Sequence, residues 1–118
     1  VTLSGQWTSP DLITPDPPVI ANGVVYAVQT GDQPLLQRPA KDGVKYSTKG
    51  AEADLFRATP IGPMVLWALD AETGKPLYNS GKLITGWTHF SEPVVALGKV
   101  FVETHEGQVF AFGLPSKR

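Results

Sequence analysis

Two histidines, three tryptophans and one Asp-x-x-Thr-Gly-Lys segment are the residues of this 118-residue chain whose types and spacing could do chemistry. His89 lies in Trp87-Thr88-His89-Phe90-Ser91, and His105 lies in Thr104-His105-Glu106-Gly107. An imidazole can serve as a base or a metal ligand near neutral pH. A metal site needs converging ligands, yet neither His-x-His nor His-Glu-x-x-His occurs. The chain has no cysteine, which removes disulfides, thiolate catalysis and cysteine metal sites. Asp70-Ala71-Glu72-Thr73-Gly74-Lys75 invites two phosphate readings. A phosphorylatable Asp-Lys-Thr-Gly needs lysine where Ala71 stands. A phosphate loop needs upstream glycines and a Ser or Thr where Pro76 follows. The segment reads instead as a tight turn, with Asp70 accepting backbone N–H bonds, Thr73 beside it and Gly74 at positive φ. No Gly-x-Ser-x-Gly elbow supports a serine nucleophile. The residues therefore assign no catalytic group and no metal ligand.

The elements that would position these groups are repeated. Pro18-Val19-Ile20-Ala21-Asn22-Gly23-Val24-Val25-Tyr26-Ala27-Val28 returns as Pro93-Val94-Val95-Ala96-Leu97-Gly98-Lys99-Val100-Phe101-Val102-Glu103, an offset of 93 − 18 = 75 residues. Such self-similarity marks a stacked repeat architecture. Asn22-Gly23 between apolar runs is a strong type I′ hairpin signal, and Leu97-Gly98 is weaker because leucine resists positive φ. Val65-Leu66-Trp67-Ala68-Leu69 predicts a third strand, and Pro76-Leu77-Tyr78-Asn79 a short fourth. Gln108-Val109-Phe110-Ala111-Phe112 repeats the third strand after a turn at Gly107. The order is strand, tight turn, strand, connection, strand, Asp/Gly turn, strand. That is a four-stranded antiparallel meander, the unit of a β-propeller blade.

The expected fold is all-β, with about two four-stranded antiparallel blades and a long irregular insertion in the first. Residues 1–16 would be the end of a preceding blade plus a connector, with 1–4 as its outermost strand. Residues 17–81 would be a full blade carrying the insertion 31–63. Residues 82–114 would be a connector and a three-stranded terminal blade, and 115–118 a tail. Two helical turns are expected near residues 51–57. The chain reads as a fragment or a processed product. Twelve glycines and eleven prolines favour short strands over long helices. A net charge of −1 gives no electrostatic case for nucleic acid. No apolar run reaches the roughly eighteen residues of a membrane span.

Leu66-Trp67-Ala68-Leu69-Asp70-Ala71-Glu72-Thr73-Gly74-Lys75-Pro76-Leu77-Tyr78 resembles the repeat of quinoprotein-type (PQQ-like) β-propellers. Gly23-Val24-Val25-Tyr26 and Gly98-Lys99-Val100-Phe101 are similar to that family's second strand, and Gly107-Gln108-Val109-Phe110-Ala111-Phe112 to its third. The resemblance covers residues 17–30 and 64–114. Tyr78 stands where the family's fourth strand ends in tryptophan, and Gly113-Leu114-Pro115 replaces the Asp-x-x-Thr-Gly that should follow the second copy. That ending implies a C-terminal blade whose fourth strand comes from elsewhere.

The resemblance implies a non-catalytic propeller segment acting as scaffold or binding module. The alternative it implies is the C-terminal part of a PQQ-dependent dehydrogenase whose catalytic residues lie upstream, with PQQ and calcium as cofactors. No cofactor is expected for this chain itself. Trp87 and His89 are the candidates for a ligand contact at a propeller mouth. A third implied reading is a propeller that holds partner peptides, with the insertion 31–63 as the contact. Partners would be the remaining blades of a parent propeller or further copies of the chain. By resemblance alone, a bacterial periplasmic or extracellular location follows.

Overall fold

The computed structural model describes residues 1–32 and 62–115. The insertion's residues 33–61, with the expected helical turns, and the tail's 116–118 lie outside the described residues. Among the described residues there are seven strands and no helix. Strands β1 (Val19–Ala21), β2 (Val24–Gln29), β3 (Val65–Asp70) and β4 (Pro76–Asn79) form one antiparallel sheet in sequence order. Strands β5 (Val94–Ala96), β6 (Lys99–Glu103) and β7 (Val109–Gly113) form a second, three-stranded one.

Turn chemistry sets this order. Asn22 and Gly23 sit at φ 51° and 76°, so both central residues take the positive φ of a type I′ hairpin. Leu97 and Gly98 do the same at 53° and 68°. The second sheet therefore makes the same turn with a residue whose Cβ opposes it. The registers match copy for copy, Val19↔Tyr26 in the first hairpin and Val94↔Phe101 in the second. Residues 1–4 pair with no strand, and Val1 and Leu3 are exposed.

The two sheets pack face to face. Side chains alternate across a strand, so Tyr26, Val28 and Leu66 share one face of the first sheet. They meet Val95, Val100, Val102, Phe110 and Phe112 of the second. Met64 and Ile84, bridged to each other just outside the strands, complete this core. Leu66 and Met64 are at most 1% exposed, and burying such a side chain contributes about 2 kcal/mol. The connection between the sheets starts at Ser80. Its N–H donates to Leu66 O, and its Oγ accepts the Leu66 N–H, both at 2.9 Å.

Antiparallel order sorts the connections to two ends. The hairpin turns at Asn22-Gly23 and Leu97-Gly98 and the Asp70 to Lys75 turn share one end. Residues 29–32, 62–65, 84–93 and 103–109 gather at the other. Both stems of the insertion lie at this second end. A Cβ on Gly31 would come 2.8 Å from Gly62 O.

Candidate functional site

The second end brings the two sequence candidates together with groups from residues 14–16, 30–32 and 103–106. Trp87 is 4% exposed and His89 is half-buried. Their ring centroids lie 5.1 Å apart in an edge contact. His105 stacks on the Trp87 indole at 4.3 Å and 16°. Its side chain is exposed, but one ring face covers the indole, because the β6–β7 turn reaches the connector. His105 N–H donates to Trp87 O at 2.7 Å and fixes that approach.

The connector around Trp87 is tied to both sheets. Thr88 N–H donates to Thr30 O at 3.0 Å on the first-sheet side. On the second-sheet side, Trp87 N–H donates to Glu106 Oε2 at 3.3 Å. Gly86, at φ 108°, leaves room for that carboxylate, since a Cβ there would come within 2.4 Å of Oε2. Asp16 is 8% exposed. Its two oxygens accept the Phe90 and Ser91 N–H groups at 2.9 and 3.0 Å. These bonds hold Phe90 at φ 54°, a strained conformation for an aromatic residue, and the residue is 84% exposed. Ser91 Oγ donates to Glu103 Oε1 at 2.7 Å. Thr30 Oγ1 donates to Thr14 O and accepts the Asp32 N–H.

Asp32, 5% exposed, places Oδ2 3.6 Å from His89 Nδ1. That is beyond a hydrogen bond. The pair is an acid beside an imidazole, with no serine or threonine hydroxyl bonded to the imidazole among the described residues. The site thus offers an aromatic and imidazole surface of Trp87, His89, Phe90 and His105 beside two buried acids, Asp16 and Asp32. Among the described residues, no three carboxylate or imidazole groups converge to hold a metal.

Sequence reasoning missed Asp16. Its signal was its place in the repeat, because it precedes Pro17-Pro18 at the position that Ser91 occupies in the second copy (91 − 16 = 75). The side chain bonds the second copy's own backbone at that equivalent position.

The turn residues lie at the opposite end, about the first sheet's length away. Asp70 Oδ1 accepts the N–H groups of Glu72 and Thr73 and the Thr73 hydroxyl at 2.8–3.1 Å. The Thr73 N–H and hydroxyl, the Glu72 N–H and the Lys75 charge lower the Asp70 pKa from its ordinary value. Gly74 sits at φ 73° beneath Trp7, and a Cβ there would come 2.5 Å from the indole. Trp7 Nε1 donates to Ala71 O at 3.1 Å and closes the lid over the turn. Gly107, at φ 92°, shapes the turn that carries His105. The structure therefore brings Trp87 and His89 together and keeps both apart from Asp70, Thr73 and Gly74.

No family model matches the chain, and no curated protein or solved structure matches it.

Proposed function

We propose that this chain is a non-catalytic segment of a β-propeller that works as a scaffold or binding module. The observation that carries this reading is the unfinished second sheet. Among the described residues, its strand β7 has no partner on its outer side, where β3 of the first sheet has β4. An open edge presents alternate N–H and C=O groups to any extended chain. The outer face beside it exposes apolar side chains between Lys99 and Glu103 at the two ends of β6, with Val94 56% and Val109 68% exposed and Phe101 half-buried, and no other described residue covers them. Such a face next to a bare edge suits a further sheet of the same kind, as in stacked blades.

The polar end supports the same reading. Asp16, Glu106 and Glu103 spend their carboxylates on backbone N–H or hydroxyl groups. One face of Trp87 is occupied by His105, so a planar cofactor would have to displace that imidazole to stack there. The test is calorimetric titration of the chain with pyrroloquinoline quinone, with and without calcium. The expected result is no saturable heat. Micromolar binding that disappears in Trp87→Ala or His89→Ala overturns the scaffold reading in favour of the dehydrogenase one.

A further inference from the structure

The bare edge of β7 has a counterpart at the other end of the chain. Strand β4 runs into Ser80-Gly81, and residues 1–3 run into Ser4-Gly5, an offset of 80 − 4 = 76 beside the hairpins' 75. Each Ser-Gly pair stands at a similar distance before a proline-led strand (18 − 4 = 14 and 93 − 80 = 13). Residues 1–3 thus hold the sequence place of a fourth strand, yet they pair with no strand among the described residues. One copy carries an unused fourth strand and, at β7, an unused place for one.

Ser80 shows how such a strand is fastened. Its N–H donates to Leu66 O, and its Oγ accepts the Leu66 N–H. The third-strand counterpart of Leu66 is Val109 (109 − 66 = 43). Thr104 N–H donates to Gln108 O, so Gln108 faces β6 and Val109, the next residue, turns its N–H and C=O outward. A serine arriving at this edge finds on Val109 the two groups that Ser80 finds on Leu66.

The side chains agree with this placement. In the first sheet Tyr78 stands opposite Ala68 and Asn79 opposite Trp67. The same register sets Thr2 opposite Ala111 and Leu3 opposite Phe110. Opposed residues share a face, so Leu3 and Val1 fall with Phe110 and Phe112, and Thr2 falls on the outer side. Tyr78, on the β4 face toward the second sheet, lies 6.2 Å from Phe112, beside the position that Val1 and Leu3 would take. Leu3 is 92% exposed in a single copy and gains burial there. Neither segment carries a charged side chain.

We propose that residues 1–4 of a second copy pair antiparallel with β7, with Ser4 fastened to Val109, so that copies join head to tail. The proposal rests on β7 being a bare edge that accepts strands, and it names what fills that edge. Donor and acceptor are different segments, and contacts of that kind build rings or filaments.

The test is sedimentation velocity of the whole chain and two variants over a range of concentration. Leu3→Asp puts a charge on the donor side chain that must enter the apolar face. Leu3 is exposed and outside both sheets, so the fold is kept. Val109→Pro removes the outward N–H, and proline is tolerated as the first residue of a strand. Circular dichroism checks both folds, and Leu3→Asp tests the donor even where proline disturbs β7. The expected result is that the unaltered chain gains mass with concentration and each variant alone associates at least about tenfold more weakly. An equimolar mixture of the two variants then forms a one-to-one complex that grows no further, because one supplies the strand and the other the edge. If Leu3→Asp associates like the unaltered chain while Val109→Pro does not, the proposal is overturned and β7 remains a strand-accepting edge. If Val109→Pro associates like the unaltered chain, both are overturned. An unaltered chain that is monomeric at every concentration, or a mixture that stays monomeric, overturns the proposal.

Discussion

The two sheets are built on one plan and differ in how far each is finished. Both begin with a proline-led strand, turn through a type I′ hairpin and add a third antiparallel strand. The first sheet buries both faces: Val28 and Leu66 toward the core, and Val25, Ala27 and Leu69 on the other side, all at 8% exposure or less. The second buries only the face with Val100 and Val102, and its other face leaves Val94, Val109 and Ala111 exposed. Their edges differ as well. In the first sheet the outer strands are short and carry Pro18 next to β1 and Pro76 within β4. Proline blunts an edge because it cannot donate to a ladder. Strand β7 reads Val-Phe-Ala-Phe-Gly, five residues with neither proline nor charge. The comparison teaches that similar strand patterns do not secure equal completeness. What separates the sheets is the supply of a fourth strand and of a cover, here Trp7 on the first sheet's turn.

The sharpest way to break the comparison is to remove that cover. Gly74→Val places a branched Cβ where the Trp7 indole lies and forces a positive φ on a β-branched residue. We expect a loss of about 3 kcal/mol or more in denaturant unfolding, from strain and overpacking together. An unchanged midpoint refutes both the turn and the lid.

The hairpins offer the reverse experiment. Leu97 is 88% exposed at φ 53°, so its side chain gains little and its backbone is strained. Leu97→Asn makes the second turn like the first. We expect a gain of about 1 kcal/mol, read as a raised denaturant midpoint. A loss of stability means that Leu97 is held by a contact that the turn geometry does not show.

The smallest effect belongs to Asp70. Its pKa is lowered in the folded state from the ordinary 3.8, chiefly by the Thr73 N–H and hydroxyl and the Glu72 N–H. Its stabilising effect is therefore present above the unfolded-state pKa and fades as pH falls through the folded one. Asp70→Asn should lower stability slightly at neutral pH, where the ionised carboxylate's contribution is present, and flatten the acid side of the stability profile. A variant with an acid limb as steep as the parent's contradicts this assignment.

Much of the fold was legible. Alternation of β-branched and aromatic residues, bounded by Asn22-Gly23, Gly74 and Gly107, located the strands within a residue or so. The 75-residue repeat gave the order within each sheet. The site was legible only in pieces. Trp87 and His89 stood out by residue type. The grip of Asp16 on Phe90 and Ser91 did not, because it spans 74 and 75 residues and depends on how the sheets pack. The stack of His105 on Trp87 is likewise a tertiary contact between a turn and a connector. A local pattern cannot encode either one.

The central claim is that β7 is an edge waiting for a strand. Amide hydrogen exchange of residues 109–113, followed across a range of protein concentration, tests it most directly. In an antiparallel ladder, alternate N–H groups of β7 face β6 and the rest face the open side. The account predicts that the outward amides exchange freely in dilute solution and become protected as concentration rises, together with an increase in sedimenting mass. Outward amides that exchange at the same rate at every concentration, in a chain that stays monomeric and unfolds sharply, would contradict it.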